Sequence, residues 1–111
     1  MAKHVNIELD KPRRLRFDIN ALADAEEELG TGIGKALQMR AGIREIRALL
    51  WAGLKWEERG LTLARAGSIL QGHLNTGGSI EDIAGAIGEA LQASGLVQQG
   101  DDEGNEEAET A

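Results

Sequence analysis

The sequence predicts an α+β fold that is mostly α: an N-terminal β-hairpin, a bundle of four to five short helices and a disordered acidic C-terminal tail. Apolar residues alternate at a period of two over residues 4–17, a pattern typical of strands. Over residues 20–95 they recur at helical spacing, and glycines interrupt them at short intervals. A chain of 111 residues fits one domain, which we place at residues 1–97.

The first element is the hairpin. Val5, Ile7 and Leu9 alternate with polar residues, Leu15 and Phe17 do so again, and the turn between them contains the only proline. These five apolar side chains should share one buried face. A lone hairpin is only marginally stable in water, so helices must cover that face. Arginines on the turn and the second strand are typical of an edge protected against aggregation.

The first helix is predicted over residues 21–29. Asp18 or Asn20 can cap its start, and Gly30 should end it. After a glycine-rich break, a short helix should run to about Arg40.

The longest helix is predicted over residues 43–59, with Gly60 as its stop. Its apolar stripe consists of Ile43, Ile46, Leu50 and Leu54.

The last two helices are predicted over residues 61–74 and from Ser79 to Gly95. Ser79 and Asp82 form an imperfect capping box at the start of the final helix. Three small residues on this helix could let another backbone approach closely: Ala84, Gly85 and Gly88.

The charges are distributed unevenly along the chain. The last basic residue is Arg65, and residues 66–111 carry nine of the 19 acids without a Lys or Arg. This half therefore cannot bind phosphate or an anionic membrane, although it can dock a basic protein. Six of the nine acids fall in residues 98–111, which contain no large apolar residue, so we expect this tail to be disordered.

Composition and motifs argue against an enzyme. The chain has no cysteine, hence no disulfide, thiol nucleophile or thiolate metal site, and no apolar stretch long enough for a membrane span. Gly30, Gly32 and Gly34 resemble half of a phosphate loop, but a helix precedes them and the fingerprint spacing is not met. His73 is more simply a partly buried polar residue than a ligand. We expect a soluble intracellular protein without catalytic residues, cofactor or metal.

Residues 63–91 also fit a helix–turn–helix, whose second helix would enter the major groove of DNA. That helix carries Glu81, Asp82 and Glu89 but no Lys, Arg or Asn, whereas phosphate and base contacts need cations. A two-helix corner in a bundle is the preferred interpretation. A small nucleic-acid-binding regulator remains the alternative function.

The two tryptophans could pack in the core or bind a partner. Trp51 and Trp56 lie about 140° apart on a helical wheel, so both cannot be central in one apolar stripe. Core packing of both is favoured; otherwise one is an exposed anchor, a role in which Trp is common. The residues predicted to bind a partner are Trp51, Leu54, Trp56, Leu96 and Val97.

The order of these elements resembles a known family. A hairpin ending in Leu-Arg-Phe precedes a helix ending in Leu-Gly, and the run Leu49–Leu54 reads Leu-Leu-Trp-Ala-Gly-Leu. Over about residues 5–93 the chain resembles the small tail assembly chaperones of long-tailed phages and the similar proteins of gene transfer agents. The run Leu49–Leu54 is the most specific part of the resemblance.

The resemblance implies a function without catalytic residues. Such chaperones are thought to coat the tape measure protein, keep it soluble and help tail tube protein polymerise around it. The resemblance therefore implies these two proteins as partners, with self-association possible. It implies action in the host cytoplasm and absence from the mature virion.

Overall fold

A β-hairpin followed by four helices makes up the part of the chain that the computed structural model describes, residues 4–32 and 42–96. The predicted fold class, α+β and mostly α, is confirmed. The predicted helix ending near Arg40, the predicted partner residue Val97 and the predicted tail at 98–111 lie outside the described residues. The elements are β1 (His4–Glu8), β2 (Pro12–Arg16), α1 (Ile19–Leu29), α2 (Ile43–Leu54), α3 (Leu63–Asn75) and α4 (Ile80–Ser94).

The hairpin pairs its strands antiparallel, with Val5 opposite Leu15 and Ile7 opposite Arg13. The predicted apolar face is confirmed, but its two halves are buried to different extents. Leu15 and Phe17 have no exposed surface, whereas Val5 and Ile7 are half-buried. The second strand and the residue after it therefore lie at the centre of the core, and β1 lies at its rim.

Helix α1 begins and ends at residues that cap helices. The Asp18 carboxylate accepts a hydrogen bond from the backbone N–H of Ala21 at 2.8 Å, which satisfies a donor at the helix start. Gly30 ends the helix in the left-handed conformation, with φ of 73°. Leu22 and Ala25 are its buried residues.

Helix α2 ends at Leu54, so the prediction of a helix over 43–59 is wrong at this end. The chain turns there, and the Leu54 carbonyl accepts hydrogen bonds from the N–H groups of Glu57 and Glu58 at 3.1 and 3.3 Å. The turn carries both acids to arginines on β2, contacts that a straight helix would not make. The predicted stripe is also wrong at its start, because Ile43 is 60% exposed.

The predicted caps of α4 are confirmed. The Asp82 N–H donates to Ser79 Oγ at 3.2 Å and the Ser79 N–H donates to Asp82 Oδ2 at 3.1 Å, completing a capping box. Gly95 ends the helix with φ of 74°. Helix α3 begins after Thr62, whose hydroxyl accepts from the Arg65 N–H at 3.1 Å.

One close contact joins α2 to the hairpin. A Cβ atom placed on Gly53 would lie 2.9 Å from both Leu15 Cδ2 and Phe17 Cζ, so only glycine lets the helix approach this closely. The surrounding core is aliphatic apart from Phe17. It consists of Leu15, Phe17, Leu22, Ala25, Ile46, Leu49, Leu50, Ala52, Leu54, Leu61, Ile69, Leu70, Ile83, Ile87, Ala90 and Leu91.

Candidate functional site

The hydrogen-bond pattern of the hairpin decides which backbone groups face outward. The Leu9 N–H donates to the Lys11 carbonyl at 3.1 Å, which makes this pair a hydrogen-bonded one. Hydrogen-bonded and non-hydrogen-bonded pairs alternate in an antiparallel ladder. In the observed register, Ile7 and Val5 therefore bond across to β2. The intervening residues of β1 direct their N–H and C=O groups away from β2; these residues are His4, Asn6 and Glu8.

The outer edge of β2 is closed at two of its three outward positions, Pro12 and Arg14. Pro12 occupies an outward-facing position and has no N–H to offer. At the next outward position, the Arg14 N–H donates to Glu57 Oε1 at 3.2 Å, and the Arg14 carbonyl accepts from Trp56 Nε1 at 2.9 Å. The turn after α2 thus occupies this edge, where another strand would otherwise pair.

Ion pairs hold that turn against β2. Arg13, only 3% exposed, donates from Nε to Asp10 Oδ1 at 2.8 Å and from Nη1 to Glu58 Oε1 at 2.9 Å. These hydrogen bonds hold the pKa of Asp10 below its ordinary 3.8 and that of Glu58 below its ordinary 4.5. The Asp10 hydrogen bond also raises the pKa of Arg13. The prediction that these arginines protect an edge is consistent with this arrangement.

Trp56 lies against the outer side of the hairpin. Its ring centroid is 5.0 Å from the Arg14 guanidinium carbon and 4.9 Å from that of Arg16, distances typical of cation–π contacts. The His4 ring centroid lies 6.4 Å away. Trp56 is therefore half-buried by polar side chains outside the apolar core, and the expectation that it packs in the core is wrong.

Trp51 does pack against the core. Its Nε1–H donates to the Leu61 carbonyl at 2.9 Å, and Lys55 Nζ lies 4.3 Å from the ring centroid. Of the other predicted partner-binding residues, Leu54 has no exposed surface, so a partner could contact it only if the fold opened. Leu96 is 44% exposed and accessible. Partner binding by these residues stays a prediction.

The outer edge of β1 is open among the described residues. It borders a groove of about 490 Å³ between β1 and α4, lined by Val5, Ile7, Gly85 and Ala86, among others. A Cβ atom on Gly85 would meet nothing within 4 Å, so the predicted close approach of another backbone is not made by the part of the chain described here. The acids that line the groove are Glu8, Glu81, Asp82 and Glu89.

His73 closes one end of this groove. Its side chain is 16% exposed, as expected for a partly buried polar residue, and its ring lies against Gly78. His73 Nε2 is 3.5 Å from Asp82 Oδ2, at the outer limit of a hydrogen bond. Hydrogen bonds from Ser79 hold the pKa of Asp82 below its ordinary value, so this acid stays charged at the groove.

Within residues 4–32 and 42–96, the structure contains no cluster of three His, Cys, Asp or Glu side chains that could hold a metal ion. No helix in these ranges has both the length and the apolar character that crossing a membrane requires. Comparison of the chain with protein-family models, with curated proteins and with solved structures finds no match in any of the three.

Proposed function

We propose that this protein is a tail assembly chaperone that binds a tape measure protein and assists assembly of the tail tube around it. It would act in the host cytoplasm and be absent from the mature virion. The observation that carries the proposal is the run Leu49–Leu54, together with its place between an N-terminal hairpin and an acidic second half. The tape measure and tail tube proteins are its proposed partners.

The physical properties of the chain agree with that role. An unassembled tape measure protein exposes long apolar helical faces, which aggregate unless something covers them. Within the described part of the chain, three large apolar side chains are exposed and available for such contacts: Ile19, Ile43 and Leu96. A net charge of −7 would keep a coated complex soluble through repulsion between complexes.

Co-expression tests the proposal. The chain should keep soluble, and co-purify with, a tape measure protein encoded beside it, while a helical protein of similar length and charge should not. Leu96→Ser should reduce co-purification because it removes an exposed apolar contact. Ala84→Ser is the matched control on an exposed position of α4. Failure to co-purify with either tail protein would contradict the proposal.

A nucleic-acid-binding regulator is the alternative. It would use the corner formed by α3 and α4, whose second helix is acidic. The hairpin arginines lie within ion-pair distance of acids: Arg13 with Asp10 and Glu58, Arg14 with Glu57, and Arg16 with Asp18. A regulator should shift duplex DNA at low salt and lose affinity steeply as salt rises. Absence of a shift at low salt would exclude it.

A further inference from the structure

We infer that the open edge of β1 binds an extended, basic segment of a partner protein, which adds to the hairpin as a third strand. The inference stands on the geometry and charge of the hairpin and α4, and it does not require a phage partner. Recognition of this kind takes affinity from backbone hydrogen bonds and specificity from alternate side chains.

The backbone groups come from three residues. His4, Asn6 and Glu8 point their N–H and C=O groups away from β2, and no residue in 4–32 or 42–96 outside the strand pairs forms a hydrogen bond with them. On β2, Pro12 has no N–H and the turn after α2 bonds both backbone groups of Arg14, so a strand cannot pair along the middle of that edge; Arg16 is the third outward position. Among residues 4–32 and 42–96, the β1 edge is therefore the one along which an added strand could pair with three consecutive outward residues.

The space comes from small residues on α4. A strand added to β1 would lie about 4.8 Å from it. Alternate side chains of that strand would point toward the groove, where Val5 and Ile7 are half-buried. Gly85 is exposed and Ala86 half-buried, and neither has a long side chain that could fill the space needed by the added strand. Apolar side chains of the added strand can therefore contact the rim of the core.

The negative charge of the groove favours a basic partner segment. Four acids line the groove, Glu8, Glu81, Asp82 and Glu89, and no Lys or Arg of the described residues does. A second copy of this chain would bring the same acids to the same edge, and like charges facing each other disfavour that pairing. The chain after Arg65 has no cation either, so its own C-terminal part cannot supply the complementary charge.

Fluorescence anisotropy with synthetic peptides tests the inference. The probe is fluorescein-labelled Lys-Val-Lys-Val-Lys-Val-Lys, which we expect to bind saturably at about 50 mM NaCl and at least tenfold more weakly at about 500 mM. Lys-Lys-Val-Pro-Pro-Lys-Lys has the same length and charge but cannot pair along its centre, and it should bind at least about tenfold more weakly. Glu-Val-Glu-Val-Glu-Val-Glu should not bind.

A matched pair of variants at one position locates the binding site. Asn6→Pro removes the outward N–H without touching the hydrogen bonds to β2, and it should weaken binding at least about tenfold. Asn6→Ala keeps the N–H and should change binding by less than about twofold. Circular dichroism melts of both variants check that the hairpin still folds.

Amide hydrogen exchange on the unmodified protein provides an independent measurement if Asn6→Pro does not fold. On addition of the Lys-Val peptide, the amides of Asn6 and Glu8 should slow, while that of Ile7 is already protected. The inference is overturned if the peptide does not bind at low salt, or if the proline peptide binds equally well. It is also overturned if sedimentation shows self-association that Asn6→Pro abolishes, because the occupant would then be a second copy.

Discussion

The two edges of the hairpin are built in opposite ways. On β2, Pro12 lacks an N–H, and the backbone of Arg14 is bonded by Trp56 and Glu57 from the turn after α2. On β1, the outward groups of Asn6 have no partner among the described residues. Helix α2 and its turn protect one strand edge, whereas the other borders an acidic groove and is bonded by no described residue. Exposed strand edges are usually blocked, which is why we propose a partner for the β1 edge.

Truncation of a buried side chain on β2 should lower the free energy of unfolding more than any other change considered. Leu15 and Val5 are directly opposite, but Leu15 has no exposed surface while Val5 is half-buried. Leu15→Ala should lower the free energy of unfolding by roughly 2–5 kcal/mol, because it leaves a cavity. Val5→Ala should cost clearly less. Urea denaturation measures both, and equal losses would contradict the unequal burial of the two strands.

A methyl group on Gly53 should clash with the hairpin and destabilise the contact between the hairpin and α2. Gly53→Ala would place Cβ 2.9 Å from Leu15 and Phe17, and we expect a loss of about 1–3 kcal/mol in the free energy of unfolding. Gly85→Ala, in open space on α4, is the control and should gain about 0.5–1 kcal/mol from helix propensity. Thermal melts of the two variants should shift in opposite directions; a shift in the same direction would refute the close contact.

Removal of the Arg13 charge should lower the free energy of unfolding by a smaller amount. Arg13→Met leaves Asp10 and Glu58 without their hydrogen-bond donor, and the two acids are partly exposed to water. We expect a loss of about 1–2 kcal/mol at pH 7. Lys11→Met, on the exposed turn, should cost less than about 0.5 kcal/mol.

The same ion pairs predict how stability depends on pH. The pKa values of Asp10 and Glu58 are lower in the folded protein than their ordinary 3.8 and 4.5. Their contribution to stability is therefore present above pH 4.5 and is lost as pH falls through the folded-state values. Arg13→Met should flatten this acid-side loss in a series of melts at different pH. An unchanged slope would show that Arg13 does not set these pKa values.

The smallest effect should come from the indole hydrogen bond at the β2 edge. Trp56→Phe removes the donor to the Arg14 carbonyl and should cost about 0.5–1.5 kcal/mol. Because the substitution leaves the Arg14 carbonyl without its indole donor, hydrogen exchange of the Arg14 amide should also become faster. Trp51→Phe, which removes a hydrogen bond to Leu61 away from that edge, is the matched control and should leave Arg14 unchanged.

Local signals were sufficient for most of the fold. Asp18, Gly30, Ser79 and Gly95 mark helix ends through contacts with residues a few positions away, so the sequence alone indicates them. The end of α2 depends instead on ion pairs with residues more than 40 positions away, and no local pattern predicts it. Local pattern alone therefore places the end of this helix at Gly60 instead of Leu54.

The candidate site was less accessible to sequence reasoning. The closeness of Gly53 to the hairpin could not be predicted without knowing which helix covers β2. Pro12 is a sequence signal for the two edges, because a proline in a strand turns its missing N–H outward and so fixes the alternation. Through the register, that alternation also makes Asn6 an outward-facing residue on β1.

Amide hydrogen exchange of the free protein tests the contrast between the two edges most directly. The Asn6 and Glu8 amides should exchange nearly as fast as in an unstructured peptide, because nothing in the described chain bonds them. The Ile7 amide, bonded across to β2, and the Arg14 amide, bonded to Glu57, should exchange far more slowly. Protection of Asn6 equal to that of Ile7 would show that the β1 edge is already occupied and would contradict the account.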